Sequence, residues 1–294
     1  MKQHVLLVDF SFAKYTQISQ VSCVSSFLSP PIWKRLLSLF THKLYLEDNP
    51  NLENVIQQMD VIILFDTRKN YDEVAKRIER VCSPTARLIF YSWNPLCESK
   101  AHSRLSERWI KATFSKKDAA CAGFIYVGSF YFKNVLTEDV LTTKWDGLFI
   151  GQDKGRREML YKVASLYRKN RLQSRIILVN NRKALFSRRY SWHIDYNVVC
   201  KNVQASNSVI EILQEGQEGI SLRAFESMFY EKKLVTNNQH IVNYDFYNSH
   251  NIFILGKDDE SGFKAFIQSP YVKLSDAIVE KYKMASWLNR MLSL

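Results

Sequence analysis

Short runs of apolar residues alternate with helical patterns along the whole chain. The predicted strands of the first half are VLLV at 5–8, DVIILF at 60–65, RLIFYS at 87–92 and FIYV at 124–127. Val74, Ile78 and Val81 recur at the spacing of one helix face, which predicts a helix over 71–82. This strand–helix–strand order predicts a parallel sheet with a right-handed crossover connection.

The second half of the chain repeats this α/β pattern. It contains predicted strands at 147–150, 175–179, 197–200, 233–236 and 251–255, a short apolar element at 208–213, and helices at 155–170, 220–230 and 274–293. A polar stretch without a strong period, 133–146, separates the two halves. The sequence therefore predicts an α/β protein of two Rossmann-like domains, 1–143 and 144–294, which face each other across a cleft, with a C-terminal helix.

Residues 30–40, PPIWKRLLSLF, predict a further helix that follows Ser29 and two prolines. The apolar residues that share one face of this helix are Ile32, Trp33, Leu36, Leu37 and Phe40. We favour a helix that packs on a sheet. An amphipathic helix that touches a membrane surface is the alternative.

The composition is that of a globular protein, with 46% hydrophobic and 24% charged residues. The formal net charge is +12, from 41 Lys and Arg against 29 Asp and Glu spread along the chain. Such a basic surface attracts nucleic acid, an anionic membrane or phosphorylated substrates. The sequence predicts no signal peptide and no membrane-spanning helix. Five cysteines without a C-x-x-C pair favour free thiols in a cytoplasmic protein over a zinc site or disulfides.

A glycine-containing turn precedes the predicted helix 220–230. Free N–H groups and the positive end of the helix dipole suit such a turn to phosphate binding. Ser221 is a candidate N-cap, Arg223 supplies a fixed charge for a diphosphate, and Glu226 is placed to accept hydrogen bonds from ribose hydroxyls. Gly219 allows the backbone to approach a ligand closely. The alternative is an ordinary turn and helix with a solvated Arg and Glu.

A second glycine-containing turn lies in FIGQDKGR at 149–156. Gly151 and Gly155 bracket the turn, and Lys154 and Arg156 bring two positive charges to it. This arrangement suits a nucleotide diphosphate, although it is neither a Walker loop nor the dinucleotide-binding fingerprint. The alternative is a turn between a strand and a helix with surface charges.

Polar residues also follow predicted strands of the first half. Asp66 and Asp9 are candidate catalytic bases, because ligands of open parallel sheets bind beyond the carboxyl ends of the strands; Asp118 is a third candidate. Trp93 and Asn94 are candidate acceptor-binding residues, the ring for the apolar face of a sugar and the amide for its hydroxyls. For all five residues, a role as a cap, turn or core residue is the alternative.

Within the stretch QEGQEGISLRAFE, Glu218-Gly219 and Glu226 resemble the paired-glutamate motif of GT-B-fold glycosyltransferases. Together with KKLVTNN and YDFYNSHNIFIL this stretch is similar to bacterial enzymes of lipopolysaccharide or capsular polysaccharide biosynthesis. Their pattern GQ-x-G-x-(S/T)-x-R-x-x-E is matched by Gln217, Gly219, Ser221, Arg223 and Glu226. The resemblance extends to DVIILFD, YSWNP and FIGQDKGR and so spans most of the chain, but 11–45 lies outside it.

The resemblance implies the transfer of a sugar from a nucleotide-sugar donor, expected to be a UDP-sugar, to a glycan or lipid-linked glycan acceptor. It implies a donor site in the C-terminal domain, with no bound metal and no further cofactor. The enzyme would be cytoplasmic, with the anionic inner membrane as a surface it works on. Two alternatives stay open: a sugar-nucleotide epimerase of the same fold and a basic, non-enzymatic nucleic-acid-binding protein. No nucleic-acid recognition motif is visible, so no specific nucleic acid is expected.

Overall fold

The computed structural model describes residues 3–16, 18–29, 31, 34, 47–67, 70–96, 104–132, 142–214 and 219–294. The chain divides into two compact units. The first unit comprises 1–132 together with 284–294, and the second comprises 133–283. The predicted helix at 30–40 lies almost entirely outside the described residues, and so does the site candidate Gln217.

The first unit is built on a parallel six-stranded sheet. The described strands of this unit, including two outside the sheet, are β1 (Val5–Val8), β2 (Val21–Val24), β3 (Phe27–Leu28), β4 (Glu47–Asp48), β5 (Val61–Phe65), β6 (Arg87–Ser92), β7 (Trp109–Thr113) and β8 (Ile125–Tyr126). The sheet order is β2-β1-β5-β6-β7-β8, while β3 and β4 form a separate antiparallel pair. Its described helices include α1 (Asn51–Ile56), α2 (Tyr71–Val81) and α3 (Lys116–Ala122).

The central strands of this sheet are covered on both faces. Every residue of β1 and β5 is buried, which is typical of parallel sheets with helices on both sides. In α2, Val74, Ala75 and Ile78 share one face and are buried in the same hydrophobic cluster as Leu64 and Phe90 of the sheet. The apolar runs and the helical period of the sequence therefore formed the elements that they predicted.

The second unit contains another parallel six-stranded sheet. Its strands are β9 (Gly147–Gly151), β10 (Ser174–Val179), β11 (Tyr190–Ser191), β12 (Ser208–Glu211), β13 (Lys233–Thr236) and β14 (Ile252–Ile254), in the order β11-β10-β9-β12-β13-β14. Its helices are α4 (Arg157–Lys169), α5 (Asn181–Ala184), α6 (Tyr196–Gln204), α7 (Leu222–Phe229), α8 (Phe263–Gln268) and α9 (Asp276–Lys281). Counted within the unit, this order is the 3-2-1-4-5-6 arrangement of dinucleotide-binding folds.

Some elements differ from the sequence-based expectations. The apolar run at 197–200, predicted as a strand, lies inside helix α6. Asp195 caps this helix by accepting a hydrogen bond from the Asn197 N–H at 2.8 Å, and the helix buries Cys200 and Val203, which lie three residues apart. A four-residue apolar run does not distinguish a strand from a helix, so the cap and the burial decide. The sequence interpretation also missed β2 and β7, because β2 is only half-buried and β7 carries Lys111.

The last helix, α10 (Met284–Leu292), belongs to the first unit. The expectation that the second domain runs from 144 to 294 differs from the structure here, and the predicted helix at 274–293 is two helices, α9 and α10. Trp287 explains the return of the chain. Its fully buried ring stacks on Phe130 with centroids 4.2 Å apart and lies 5.0 Å from Tyr91.

Candidate functional site

The strand order of the second sheet reverses between β9 and β12. Chains leave the carboxyl ends of these two strands in different directions, and open α/β sheets bind their ligands in the crevice that results. The loop 152–156 follows β9, and the segment leading to α7 follows β12. Both glycine-containing turns that the sequence singled out therefore lie at the same edge of one sheet.

Arg223 lies at the centre of this edge. Its guanidinium is 4.5 Å from the centroid of the Phe149 ring, and its Nη2 donates a hydrogen bond to the Ile150 carbonyl at 2.7 Å. Burial lowers the pKa of Arg223, and the nearby carboxylates of Glu226 and Glu211 oppose that effect. An arginine nevertheless stays charged in proteins and has five N–H donors. Among the described residues the guanidinium makes that one hydrogen bond, which leaves donors for an anionic ligand.

Gly151, the last residue of β9, makes room for Arg223. A Cβ at this position would lie 2.0 Å from the Arg223 Nη2. The arginine can therefore approach the strand end only because the residue there has no side chain. The pairing of Gly151 with Arg223 connects the two predicted turns, which are far apart in the sequence.

The N-terminus of α7 is fixed by a buried carboxylate. Ser221 caps α7 by accepting a hydrogen bond from the Arg223 N–H at 3.2 Å, and its own hydroxyl donates to Glu211. Glu211 is fully buried at the end of β12, where it also accepts a hydrogen bond from Thr236 Oγ1 at 2.6 Å. Burial raises the pKa of Glu211. Gly219, which precedes the cap, has a φ of 109° that favours glycine.

Glu226 lies one turn further along α7 and is 4% exposed. Its Oε1 accepts a hydrogen bond from the Tyr196 hydroxyl at 2.9 Å. Burial raises the pKa of Glu226 to about 7, although the charge of Arg223 and the hydrogen bond from Tyr196 both lower it. The sequence interpretation missed Tyr196, because it treated 197–200 as a strand. It also missed Glu211, whose one sequence signal is its position as an acidic residue at the end of an apolar strand.

Arg156 shapes the loop after β9. Its Nη1 donates to the Ile212 carbonyl at 2.8 Å, its Nε to the Asp153 carbonyl at 3.2 Å and its Nη2 to the Gln152 carbonyl at 2.5 Å. Burial is the main reason that the pKa of Arg156 falls to about 10. The bond to Ile212 ties the loop to the segment after β12, and the other two bonds hold the loop itself.

Lys154 occupies the exposed tip of the same loop, with a φ of 40°. The following residue, Gly155, has a φ of 83° and donates its N–H to the Asp153 carboxylate at 2.9 Å. Tyr190 donates its hydroxyl to the same carboxylate at 2.6 Å, and these bonds lower the pKa of Asp153. Of the described donor-site candidates, Lys154 is the one that the structure leaves at the surface of the loop.

Asp9 and Asp66 follow β1 and β5, where the strand order of the first sheet reverses. The Asp9 carboxylate accepts hydrogen bonds from Ser26 N–H at 2.9 Å, Ser26 Oγ at 2.6 Å and Ser25 Oγ at 3.3 Å. An open pocket of about 450 Å³ lies beside it, lined in part by Phe10, Ser25 and Thr67. Asp9 therefore ties β1 to the segment after β2 at the edge of this pocket.

The Asp66 carboxylate holds the turn after β6. It accepts hydrogen bonds from the N–H groups of Trp93 at 2.8 Å and Asn94 at 3.0 Å, from the Asn94 side-chain amide at 3.2 Å and from Ser92 Oγ at 3.1 Å. Burial raises the pKa of Asp66 to about 6, and the four hydrogen bonds oppose that rise. Asp66 and Asn94 thus form one unit. Asp118, the third candidate base, accepts the Leu96 N–H at 3.1 Å.

Trp93 packs among aromatic side chains at this sheet edge. Its ring is 4.8 Å from Phe130, 5.7 Å from Phe65 and 5.9 Å from Phe10 between centroids. Trp93 is partly buried in this cluster. The structure thus places Asp9, Asp66, Trp93 and Asn94 together in the first unit.

Within the described part of the chain, no group of three His, Cys, Asp or Glu side chains could hold a metal ion. The helices described there include none that is long and apolar enough to cross a bilayer.

The two units, each with a parallel six-stranded sheet, form a two-domain α/β protein whose architecture is consistent with a GT-B-like fold. The solved structure of sucrose-phosphate synthase from Thermosynechococcus elongatus has this fold over almost the whole chain. The TM-score is 0.52 at 9% sequence identity, and the match covers 99% of this chain and 98% of that one. Such low identity shows a shared fold. No protein-family model matches the sequence, and no curated protein does.

Proposed function

We propose that this protein is a glycosyltransferase that moves a sugar from a nucleotide-sugar donor to a glycan or lipid-linked glycan acceptor. One observation carries the proposal: a half-buried arginine with unused N–H donors, Arg223, lies at the N-terminus of a helix where the strand order of a Rossmann-like sheet reverses. The fold shared with a sucrose-phosphate synthase supports transfer chemistry.

The donor site in this proposal lies at the carboxyl edge of the second sheet. Arg223 and the first turn of α7 bind the diphosphate, because both present N–H donors and positive charge. Gly151 admits the arginine and Lys154 adds an exposed cation, while Arg156 holds the loop in place. The Glu226 carboxylate accepts hydrogen bonds from the ribose hydroxyls, and the backbone at Gly219 approaches the phosphates. Gln217 remains a donor-binding candidate from the sequence alone.

The reaction breaks the bond between the sugar and the nucleoside diphosphate and forms a bond to an acceptor hydroxyl oxygen. The diphosphate leaves with the electron pair, and Arg223 and the helix N-terminus stabilise its negative charge without a metal ion. The acceptor hydroxyl must lose a proton. We assign that role to Asp66, because a pKa of about 6 suits a base near neutral pH; Asp9 is the second candidate.

We further propose that the acceptor belongs to lipopolysaccharide or capsular polysaccharide biosynthesis and that the donor is a UDP-sugar. The support is the resemblance of QEGQEGISLRAFE and the neighbouring segments to enzymes of those pathways. Trp93 and Asn94 lie at the edge where an acceptor sugar would contact Asp66.

Nucleotide binding by an Arg223→Ala variant tests the proposal. Isothermal titration with UDP, GDP, CMP, dTDP and their sugars identifies the donor in the unmodified protein. We expect Arg223→Ala to weaken the affinity for that nucleotide about 10- to 100-fold, since charge-assisted hydrogen bonds to phosphate are lost. The matched control is Arg175→Ala, because Arg175 also lies over an aromatic ring, that of Trp145 at 5.0 Å. Equal affinities in both variants would remove the diphosphate role.

Asp66→Asn separates the base from the donor site. We expect this variant to bind the donor nucleotide like the unmodified protein and to transfer sugar at least about 100-fold more slowly, because no carboxylate accepts the acceptor proton. Sugar transfer to an acceptor glycan is measured by mass spectrometry. Unimpaired transfer would move the base role to Asp9. Formation of an epimer without any acceptor would favour the epimerase alternative.

A further inference from the structure

An exposed segment of the second unit combines basic and aromatic side chains. We call residues 180–193 the basic turn; it runs from the end of β10 through α5 and β11. It contains Arg182, Lys183, Arg188 and Arg189 and no acidic residue. Phe186, between the two basic pairs, is 79% exposed, and Trp192 is 50% exposed. No other large hydrophobic side chain among the described residues is as exposed as Phe186.

Hydrogen bonds hold the backbone of the basic turn. Asn180 caps α5 by accepting the Lys183 N–H at 2.9 Å, and the Ser187 N–H donates to the Lys183 carbonyl at 2.9 Å. The Asn180 N–H also donates to the Ser191 carbonyl at 3.0 Å, which closes the base of the segment. Phe186 is therefore presented from a fixed turn.

Protection of a sheet edge explains part of this composition. β11 is the edge strand of the second sheet, and charged residues at such edges prevent pairing with other chains. That explanation covers Arg188 and Arg189, but it does not explain Phe186. Transfer of this exposed ring from water into an apolar phase would be favourable.

We propose that the basic turn docks this protein on a bilayer that contains anionic lipid. Phe186 and Trp192 enter the interfacial region, and the flanking arginines contact lipid phosphates. A bilayer fits better than nucleic acid, because Phe186 is 79% exposed and makes no ring contact with another aromatic side chain among the described residues. Base stacking uses several rings along a groove. The proposal does not depend on the glycosyltransferase assignment, since docking requires no nucleotide.

Sedimentation with vesicles tests the proposal. The probes are vesicles of phosphatidylcholine alone and vesicles that also contain phosphatidylglycerol. We expect the unmodified protein to bind the anionic vesicles preferentially, and R188E/R189E to lower the partition coefficient at least about tenfold. The control K257E/K264E changes the net charge equally at two other exposed lysines and should retain most of the binding. Equal losses in both double variants would overturn the proposal, because overall charge would then explain binding.

Phe186→Ser gives a second measurement that does not depend on charge. We expect this variant to bind anionic vesicles several-fold more weakly with an unchanged thermal midpoint, because the exposed ring contributes no packing in the folded protein. Unchanged vesicle binding would leave the ring without the assigned role. A different result would assign the surface to nucleic acid instead. In that case the unmodified protein binds single-stranded RNA but no vesicles, and both R188E/R189E and Phe186→Ser abolish the RNA binding. Nucleotide titration of the same variants tests the donor site separately.

Discussion

At the scale of single residues, the candidate donor site combines four buried or half-buried groups of opposite charge. Arg223 lies near the carboxylates of Glu226 and Glu211, and Arg156 lies near Arg223. A buried charge without a partner is unfavourable, and burial shifts the pKa of each group in the direction that favours its neutral form. A site of this kind has a cost in stability in the free protein, and a bound ligand stabilises the folded state by mass action.

Glu226 makes this cost measurable as a function of pH. Its pKa of about 7 in the folded protein lies above the ordinary value of 4.5, so the unfolded chain loses this proton at lower pH. The stabilising contribution of the neutral carboxyl is therefore present below that ordinary value and is lost as the pH rises to about 7. The full difference corresponds to about 3 kcal/mol in the free energy of unfolding.

We expect Glu226→Gln to raise the thermal midpoint at about pH 8 and to change it little at about pH 4, because glutamine has no proton to lose. Thermal unfolding at both pH values measures this, with the exposed Glu260→Gln as the control. The same variant should bind the donor nucleotide more weakly if the carboxylate accepts ribose hydrogen bonds. A shift of equal size at both pH values contradicts the assigned pKa.

At the scale of elements, the end of β9 and the start of α7 form one functional unit. The absence of a side chain at Gly151 lets Arg223 reach the carbonyl of β9, while Ser221 and Glu211 fix the start of the helix. A glycine elsewhere in β9 has a different purpose. A Cβ at Gly147 would lie 2.5 Å from the buried Tyr167 ring, so that glycine serves packing.

We expect Gly151→Ala to weaken nucleotide binding about tenfold or more and to change the thermal midpoint little. The reason is that the new methyl group displaces the end of a flexible arginine rather than backbone. Calorimetric titration and thermal unfolding measure the two effects. Gly262→Ala is the matched control, since nothing lies within 4 Å of its Cβ. A large loss of stability with intact binding would show that Gly151 is needed for folding instead.

At the scale of the whole molecule, the chain ends in the unit where it began. α10 packs Trp287 among Phe65, Tyr91 and Phe130, and the Arg87 side chain donates to the Leu292 carbonyl at 2.7 Å. The first unit is therefore completed only after the second unit has been synthesised.

We expect Trp287→Ala to destabilise the first unit by about 3–5 kcal/mol, the usual cost of removing a buried aromatic side chain. Hydrogen exchange measured by mass spectrometry should show lost protection in β1, β5 and β6, and unchanged protection in β9 and β12. Trp192→Ala, at a half-exposed position, is the control and should leave both patterns intact. Loss of protection in both units together would show that the two unfold as one.

Elements with strong local signals are predictable from the sequence. Buried runs such as VIILF and the period of Val74 and Ile78 predicted a strand and a helix that the structure contains, and the glycine turn before α7 was recognisable from its spacing. The prediction of a strand at 197–200 was wrong, because a short apolar run fits either a strand or a helix. The N-cap that Asp195 forms favours the helix α6.

Which of these elements lie next to each other depends on long-range packing. The sheet order that places β12 beside β9, and so Arg223 beside Gly151, arises from parallel pairing between strands distant in sequence, which no local pattern encodes. Glu211 and Tyr196 became candidates for the same reason, because an acid or a phenol acquires a shifted pKa or a hydrogen-bond partner only when other segments bury it. α10 likewise belongs to the first unit because Trp287 packs against the first sheet, which its position in the sequence does not reveal.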